Sequence, residues 1–284
     1  MTLRTLLKLT LLYSVFNTSC SNEAIDSQVN IINGKEGLES QVSPASLFII
    51  HLTGNKGACS ATRIGPKTII LAAHCVVYEN TRKLTVGKEI YYGRTDDNNR
   101  TYQATIKKIH LKDWQGSKFE RATNGNGLDM AVVVLERPLR NNIKIAKIDP
   151  KKVRENDPVL ITGYGCRKMT GPDYADKHFQ YSLSQAASIN KLFHLFSVTP
   201  AMLLPGKRQY IRENYWITGG LSGGGNSSLC PGDSGGGVFR ANDNLKIIGI
   251  NSDYTFNLFK GRTSAANLFV RLDTHRNYIN SVIE

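Results

Sequence analysis

The sequence predicts an all-β fold, a sandwich or a barrel, that ends in one α-helix. Short runs rich in apolar and β-branched residues recur along the chain, and Gly, Asn, Asp and Pro separate them, which is typical of strands joined by turns. The clearest runs are LFIIHL, TIILAA, MAVVVLE, PVLITGYG, KIIGINS and NLFVRL, which begin at Leu47, Thr68, Met130, Pro158, Lys246 and Asn267.

The terminal helix is predicted from the spacing of apolar residues. They fall on one helical face at Tyr278, Ile279, Val282 and Ile283. Asp273 or Thr274 precedes them and can serve as the N-cap. Region 168–212 gives the weakest pattern. AASINKLFHLF within it is compatible with a helix, and we expect most of the region to form long surface loops.

Composition indicates a folded protein with a basic surface. A length of 284 residues fits one large domain or two small ones, and 40% hydrophobic residues is too many for a disordered chain. The formal net charge is +13, but Lys and Arg are scattered, with no dense basic tract and no nucleic-acid-binding motif. We therefore expect no nucleic-acid partner.

Residues 1–19 have the pattern of a signal peptide. Arg4 and Lys8 supply positive charge, and the apolar run LTLLYSVF is too short to span a bilayer. Removal of this segment lowers the net charge by two, to +11. No later stretch is long and apolar enough to form a membrane helix. We expect an exported, secreted chain.

Five cysteines leave one over in an exported chain, and Cys20 is the natural odd one. An ordinary secretory cut leaves a free terminus near it, whereas a bacterial lipoprotein cut makes Cys20 a lipid anchor. Asn17 fits the lipobox poorly, but the odd cysteine favours the anchor. No Cys-x-x-Cys pair occurs, and His74–Cys75 is weak evidence for zinc, so we expect no metal and no cofactor.

Three segments carry the groups that a serine nucleophile needs. These are a base to take the hydroxyl proton, a carboxylate to orient the base, and N–H donors for the oxyanion. LAAHC places His74 after an apolar strand, and GLDMAVVVL places Asp129 at the start of one. CPGDSGG places Ser234 two residues after Gly232, where a glycine lets both N–H groups point to one spot.

These segments resemble the signatures of the chymotrypsin/trypsin family of serine peptidases, in that family's order of His, Asp and Ser. AAHC and GDSGG are specific separately and more specific together. IINGKEG at Ile31 is similar to the family's mature N-terminus, ITGYG to the segment that opens its second barrel, and GINS at Gly249 to the strand lining its substrate cleft. The resemblance covers residues 31–284.

The resemblance implies two packed six-stranded antiparallel β-barrels, about 31–148 and 149–284, the second including the C-terminal helix, with 20–30 as a linker or propeptide. The triad of His74, Asp129 and Ser234 would lie in the cleft between the barrels and hydrolyse peptide bonds through an acyl-enzyme. Implied partners are a protein or peptide substrate and a protein inhibitor, and a monomer is expected.

The resemblance also assigns supporting roles. Ser252 takes the position of a serine that hydrogen-bonds the triad aspartate. Ile31 would be the terminus freed by an activating cut, and its ammonium would pair with Asp233 to order the oxyanion loop. The cut would follow Asn30 instead of the usual Arg or Lys, and it would release an enzyme anchored at Cys20.

Substrate preference is inferred from Ser228, six residues before the nucleophile, where the family forms the floor of its primary pocket. Serine cannot select Arg or Lys by charge pairing. Where the family often has Ser-Trp-Gly, this chain has Ser252, Asp253 and Tyr254, and Asn267 is expected on the opposite wall. We expect a shallow pocket for small or medium neutral side chains, with Asp253 favouring a basic neighbour.

Two disulfides follow from the resemblance. Cys59 and Cys75 are 16 residues apart, as in the bond that closes the family's catalytic-histidine loop. Cys230 lacks its usual partner beyond the cleft strand, so we expect it to pair with Cys166, just after GYG.

The same motifs are compatible with two other functions. An inactive family member could act as a binding module, but such proteins usually lose a triad residue, and all three are present. GDSGG also satisfies the Gly-x-Ser-x-Gly elbow of α/β-hydrolase esterases, in which a carboxylate and then a histidine follow the serine. Only His275 lies after Ser234, and the alternation of helices with parallel strands is missing.

Overall fold

The structure is a computed structural model that describes residues 31, 34–50, 58–77, 84, 86–114, 128–166, 178–188, 205–220, 227–256 and 264–284. The expected signal peptide, Cys20 and Asn30 lie outside these residues. Within them, no helix has the length and apolar character needed to cross a membrane.

The first half of the chain forms a closed six-stranded antiparallel barrel. Its strands are β2 (Ser46–Ile50), β3 (Ala58–Arg63), β4 (Thr68–Leu71), β5 (Glu89–Gly93), β6 (Thr101–Leu111) and β7 (Ala131–Leu135). They follow one another around the barrel in the order β2-β3-β4-β7-β6-β5. The five residues of β7 are all buried, as expected for its unbroken apolar sequence.

The second half closes in the same way. Its barrel strands are β9 (Pro158–Gly163), β10 (Gln180–Ala187), β11 (Tyr215–Gly219), β12 (Gly237–Arg240), β13 (Asp243–Phe256) and β14 (Ser264–Arg271). Their order is β10-β11-β14-β13-β12-β9, and the pairing of β9 with β10 closes the barrel. Two packed six-stranded antiparallel barrels, as the resemblance implied, are therefore confirmed.

Two short strands join the second sheet from the first half of the chain. These are β1 (Lys35–Glu36), which pairs with β10, and β8 (Lys147–Ile148), which pairs in parallel with β13. The described residues also form three α-helices, α1 (Glu39–Val42), α2 (Pro205–Asn214) and α3 (Arg276–Val282), and three 3₁₀ turns, Ala73–Cys75, Thr95–Asp97 and Asp273–His275. The C-terminal helix predicted from apolar spacing is therefore confirmed as α3.

Two details of the sequence prediction are wrong. Region 168–212 was expected to be mostly loop, but its described residues, 178–188 and 205–212, form β10 and most of α2, whereas the rest of the region, including most of AASINKLFHLF, lies outside the described residues. Neither Asp273 nor Thr274 caps the terminal helix, because α3 begins only at Arg276 and has no side-chain cap. The Asp273 carboxylate instead accepts hydrogen bonds from the guanidinium of Arg271, so it is not available to the helix.

Candidate active site

His74 and Asp129 lie together because of the strands that precede or follow them. His74 is in the short 3₁₀ turn Ala73–Cys75 that follows β4, and Asp129 comes just before β7. β4 and β7 are antiparallel neighbours, with Leu71 opposite Ala131. The end of one strand and the start of the other therefore share an edge of the first barrel, and the two side chains meet there.

Asp129 accepts two hydrogen bonds from His74. The backbone N–H of His74 donates to Oδ1 at 3.0 Å, and ring atom Nδ1 lies 2.8 Å from Oδ2. An ionised carboxylate only accepts hydrogen bonds, so Nδ1 carries the proton and Nε2 of the neutral ring is left as a base. The pair therefore has the tautomer that proton abstraction requires.

The charge of Asp129 is stabilised despite its complete burial. Burial alone would raise the pKa of this carboxyl, but the nearby His74 and the hydrogen bonds from His74 and Ser252 outweigh that effect and hold the pKa below its usual value. The Ser252 hydroxyl donates to Oδ2 at 2.7 Å. Asp129 is thus an ionised acceptor at neutral pH.

Ser252 reaches Asp129 from the other barrel by way of a β-bulge. The pairing of β13 with β14 shifts register between Asn251 and Asp253, so Ser252 is the extra residue of the strand. Bulges re-aim a side chain relative to a regular ladder. Ser252 is 2% exposed, and its hydroxyl is directed at the carboxylate.

Ser234 lies in a tight turn that leads into β12. Gly232 has φ +104° and Gly235 has φ +83°, which L-residues rarely adopt. A Cβ at Gly235 would also come within 2.8 Å of the Ala72 nitrogen, so the glycine allows the turn to approach the first barrel closely. The hydroxyl of Ser60 on β3 donates to the Gly232 carbonyl at 2.8 Å and ties the turn to that barrel.

The backbone donors of this turn are used unequally. The N–H groups of Cys230, Asp233, Gly235 and Gly236 all donate to protein acceptors. Those of Gly232 and Ser234 have no acceptor among the residues that the structure describes. Two unused N–H groups in one turn are what an oxyanion hole requires.

Two contacts of the Ser234 carbonyl place Ser234 close to the turn that carries His74. Its carbonyl accepts the N–H of Ser60 at 2.9 Å and lies 3.7 Å from the sulfur of Cys75, the residue after His74. The Ser234 hydroxyl makes no hydrogen bond to any described residue, His74 included. Such catalytic contacts are often long in unliganded enzymes and tighten when substrate binds.

Asp233 is the second fully buried carboxyl of the site. It accepts the N–H groups of Gly165 at 2.8 Å and Cys230 at 2.9 Å. Burial raises its pKa to about 7, against the smaller opposing effect of these two bonds. No cation pairs with it among the described residues.

Ile31 is fully buried in the second barrel. It belongs to the same apolar cluster as Leu229, which directly precedes Cys230 in the Asp233 turn. Its φ of +35° is an outlier for a β-branched residue. The peptide bond to Asn30 defines this angle, so the outlier exists only while that bond is intact.

The predicted pocket residues gather between β11, β14 and the turn. Ser228 is fully buried, and its hydroxyl donates to the Leu229 carbonyl at 3.1 Å. Asn267 holds the backbone on both sides of Ser228: its Oδ1 accepts the Leu229 N–H at 2.8 Å, and its Nδ2 donates to the Ser227 carbonyl at 3.1 Å.

The remaining pocket residues lie on the paired strand. Tyr254 is opposite Asn267 and Asp253 is opposite Leu268 in the β13–β14 ladder. The side chain of Tyr254 lies outside what the structure describes, whereas Asp253 is partly exposed.

Both disulfides expected from the resemblance are present. Cys59 bonds to Cys75 with 6.3 Å between Cα atoms, and Cys166 bonds to Cys230 with 5.6 Å. The second links the segment after β9 to the turn that carries Ser234. The first excludes a metal site at Cys59, His74 and Cys75, whose ligand atoms are close together, because a disulfide has no thiolate to coordinate a metal.

Sequence reasoning missed three residues that shape the site. Ser60 holds the turn that carries Ser234, and the Tyr215 hydroxyl accepts the backbone N–H of Asp129. Glu39 accepts a hydrogen bond from the Tyr164 hydroxyl at 2.9 Å, next to Gly165. Each contact joins residues far apart in the chain, and no local motif marks them. Glu39 is unusual because it is an acidic residue that is completely buried. Its burial is visible only in the structure, so the sequence gives no signal for it.

Known proteins resemble this chain along most of its length. Chymotrypsin-like elastase family member 1 of Canis lupus familiaris is 22% identical over 267 residues, covering 91% of this chain and 94% of the relative. The clotting factor G beta subunit of Tachypleus tridentatus is 22% identical over 251 residues, which cover 84% of this chain and 75% of the relative.

Solved structures share the fold at lower identity. The scabies mite inactivated protease paralogue S-D1 superposes with a TM-score of 0.65 at 16% identity, covering 88% of this chain and 96% of its own. Mouse neuropsin, a serine protease, gives a TM-score of 0.61 at 15% identity, and the match covers 88% of this chain and 99% of neuropsin. The sequence model described as Trypsin matches residues 31–279. The chain therefore belongs to the trypsin family.

Proposed function

We propose that this chain is a secreted serine endopeptidase that works through His74, Asp129 and Ser234. The observation that carries the proposal is the buried, ionised Asp129 bound to Nδ1 of His74, beside a serine turn with two unused N–H groups. A base with a fixed tautomer, a nucleophile and oxyanion donors are the groups that acyl transfer needs. These groups act without a metal or a cofactor.

The proposed reaction proceeds in two halves. Nε2 of His74 takes the Ser234 proton as Oγ attacks the peptide carbonyl, and the N–H groups of Gly232 and Ser234 stabilise the oxyanion. Asp129 stabilises the imidazolium, which then protonates the leaving amine. Water, activated by His74, hydrolyses the acyl-enzyme and restores the serine.

The proposed substrates have small or medium neutral side chains before the cleaved bond. Ser228 offers no charge for Arg or Lys, and Asn267 fixes the backbone around it with an amide that is 2% exposed. The partly exposed Asp253 would favour a basic residue at the neighbouring position of the substrate. A peptide library tests both preferences, and preferred cleavage after Arg or Lys would contradict the first.

Activation is proposed to follow a cut between Asn30 and Ile31. Asp233 is a buried carboxyl with a pKa of about 7 and only two N–H donors, so a nearby ammonium would stabilise its charge. The cut would supply that ammonium and remove the φ outlier at Ile31, a conformation that costs about 1–3 kcal/mol. A purified, active enzyme whose chain begins before Ile31 would contradict this model.

Export is proposed from the signal-peptide pattern of residues 1–19 and is supported by the two disulfides, which persist in oxidising compartments. Cys20 is the site of the alternative lipid anchor. Mass spectrometry of the mature N-terminus distinguishes an acylated Cys20 from a free terminus and reports any cut at Ile31.

Labelling with a fluorophosphonate probe tests the proposed activity. The N-terminally processed protein should be labelled and should cleave peptides, and Ser234→Ala should lose both properties. Ser281→Ala is the matched control, because that hydroxyl lies on the exposed end of α3 and donates only to Tyr278. A folded, processed protein that stays unlabelled would contradict the peptidase, and labelling with ester cleavage alone would indicate an esterase.

The second candidate is a catalytically silent family member that acts as a binding module. Its support is that the Ser234 hydroxyl makes no hydrogen bond to His74 or to any other described residue. A silent protein would bind peptides without being labelled by the probe.

A further inference from the structure

The peptide N–H of Asp129 is bonded separately from its carboxylate. The carboxylate is occupied by His74 and Ser252. Asp129 lies two residues before the start of β7 at Ala131, so its N–H has no ladder partner. That N–H donates instead to the phenol oxygen of Tyr215 at 3.1 Å.

Tyr215 reaches Asp129 from the second barrel. It is the first residue of β11, directly after α2, and it lies opposite Val270 of β14. Its side chain is 1% exposed. This position between a helix and two paired strands leaves the ring little freedom, since buried side chains are close-packed.

The phenol of Tyr215 is neutral at neutral pH. Burial raises its pKa well above the ordinary value, and the charge of Asp129 adds to that effect. A neutral phenol accepts the Asp129 N–H through an oxygen lone pair. The hydrogen bond between Tyr215 and the Asp129 N–H therefore persists while the active-site groups titrate near neutral pH.

The bond to Tyr215 fixes the plane of the peptide that carries the Asp129 side chain. Met130 donates its N–H to the Leu128 carbonyl at 2.8 Å, so the residues around Asp129 form a tight turn instead of a strand. In such a turn a rotation of one peptide moves the attached Cβ, and with it the carboxylate. A fixed peptide keeps Oδ2 aligned with Nδ1 of His74.

We infer that Tyr215 is a positioning residue for the catalytic pair, holding the Asp129 peptide so that the carboxylate stays aligned with His74. The inference rests on the proposed function. It assigns to β11 a part in the site for which no sequence motif exists. It also means that the second barrel holds Asp129 from two sides, through Tyr215 at the backbone and Ser252 at the carboxylate.

Tyr215→Phe tests this inference, because it removes one oxygen and keeps the ring. We expect kcat to fall about tenfold while KM stays within about twofold, since alignment matters more in the transition state than in substrate binding. We also expect the low-field proton NMR resonance of the His74–Asp129 hydrogen bond to shift upfield or broaden. Tyr92→Phe is the control, because Tyr92 is also a buried tyrosine but its hydroxyl bonds to the backbone of Arg140 instead of Asp129.

The two readouts separate the inference from the proposed function. Unchanged kcat and an unchanged resonance in Tyr215→Phe would overturn the inference and leave the peptidase intact. If the unmodified, processed protein is inactive, the proposed function fails, and the resonance alone decides about Tyr215. An equal loss in Tyr92→Phe would mean that the effect is general destabilisation and would also overturn the inference.

Discussion

Asp129 and Asp233 are both fully buried aspartates of one cleft, yet their carboxyls behave in opposite ways. The pKa of Asp129 lies below its usual value, whereas burial raises that of Asp233 to about 7. Both accept hydrogen bonds from backbone N–H groups. Burial and amide donors are therefore common to both sites and cannot explain the difference.

The difference lies in the side chains around them. Asp129 has the imidazole of His74 and the hydroxyl of Ser252, whereas no side chain donates to Asp233 among the described residues. Two backbone donors do not offset complete burial of a charge. A nearby cation would stabilise the charge of a buried carboxyl in this state, and in the proposed mechanism the Ile31 ammonium is that cation.

The largest effect is expected from Asp129→Asn. The amide nitrogen would donate to Nδ1 of His74 and force the wrong tautomer, so kcat should fall by about 10⁴-fold. Peptide hydrolysis rates measure the loss. Asp243→Asn is the control, since that exposed carboxylate binds only its chain neighbours Lys246 and Leu245, and it should retain full activity. A loss below tenfold in Asp129→Asn would exclude Asp129 from the triad.

Asp233→Asn tests the cation site in the processed protein. It should leave the Ile31 ammonium buried and unpaired, and breaking a buried pair costs about 3–5 kcal/mol. We expect the oxyanion turn to loosen and activity to fall about 10²–10³-fold. Activity and the melting temperature measure the change. If processed Asp233→Asn matched the unmodified enzyme, the ion-pair model would be wrong.

The pH dependence of stability should differ between the unprocessed and processed chains. In the unprocessed chain the folded pKa of Asp233, about 7, lies above its unfolded value of about 4, so the folded state keeps a proton that the unfolded state releases. The contribution of Asp233 to the free energy of unfolding should therefore be greatest below about pH 4 and fall by about 4 kcal/mol as the pH rises to about 7.

Denaturant titrations at several pH values check this slope in the Ser234→Ala background, which prevents self-cleavage. Asp233→Asn should remove the contribution of this group from the unprocessed chain. After processing, the Ile31 ammonium keeps the carboxylate charged, and the contribution should also disappear. Equal slopes in both forms would contradict the difference between the two aspartates.

Ser252→Ala is the mildest of these changes. It removes one of the two side-chain donors to Asp129, and a hydrogen bond to a charged group contributes about 1.5–3 kcal/mol. We expect kcat to fall about tenfold, with a rise in the Asp129 pKa toward that of Asp233. Carbon-13 NMR of the Asp129 carboxyl during an acid titration reports that rise. An unaltered titration would show that His74 alone accounts for the low pKa.

The sequence predicted the residues of the site better than the contacts between them. Short motifs mark the predicted residues His74, Asp129, Ser234 and Ser252. β10 in region 168–212 was missed because its buried positions include the polar Gln180 and Ser182, whereas the apolar Leu183 is exposed. The N-cap was misplaced because Arg271 binds Asp273, a competition that helix-capping rules do not include.

By itself the sequence determined the all-β class, the order of the three catalytic candidates and the glycines of the serine turn, because local backbone requirements and short motifs encode these features. Only the tertiary structure decided that Tyr215 of one barrel holds the Asp129 backbone of the other, and that two buried aspartates differ in pKa. Burial and charge depend on groups brought together from distant parts of the chain. No local pattern carries that information, so the fold had to supply it.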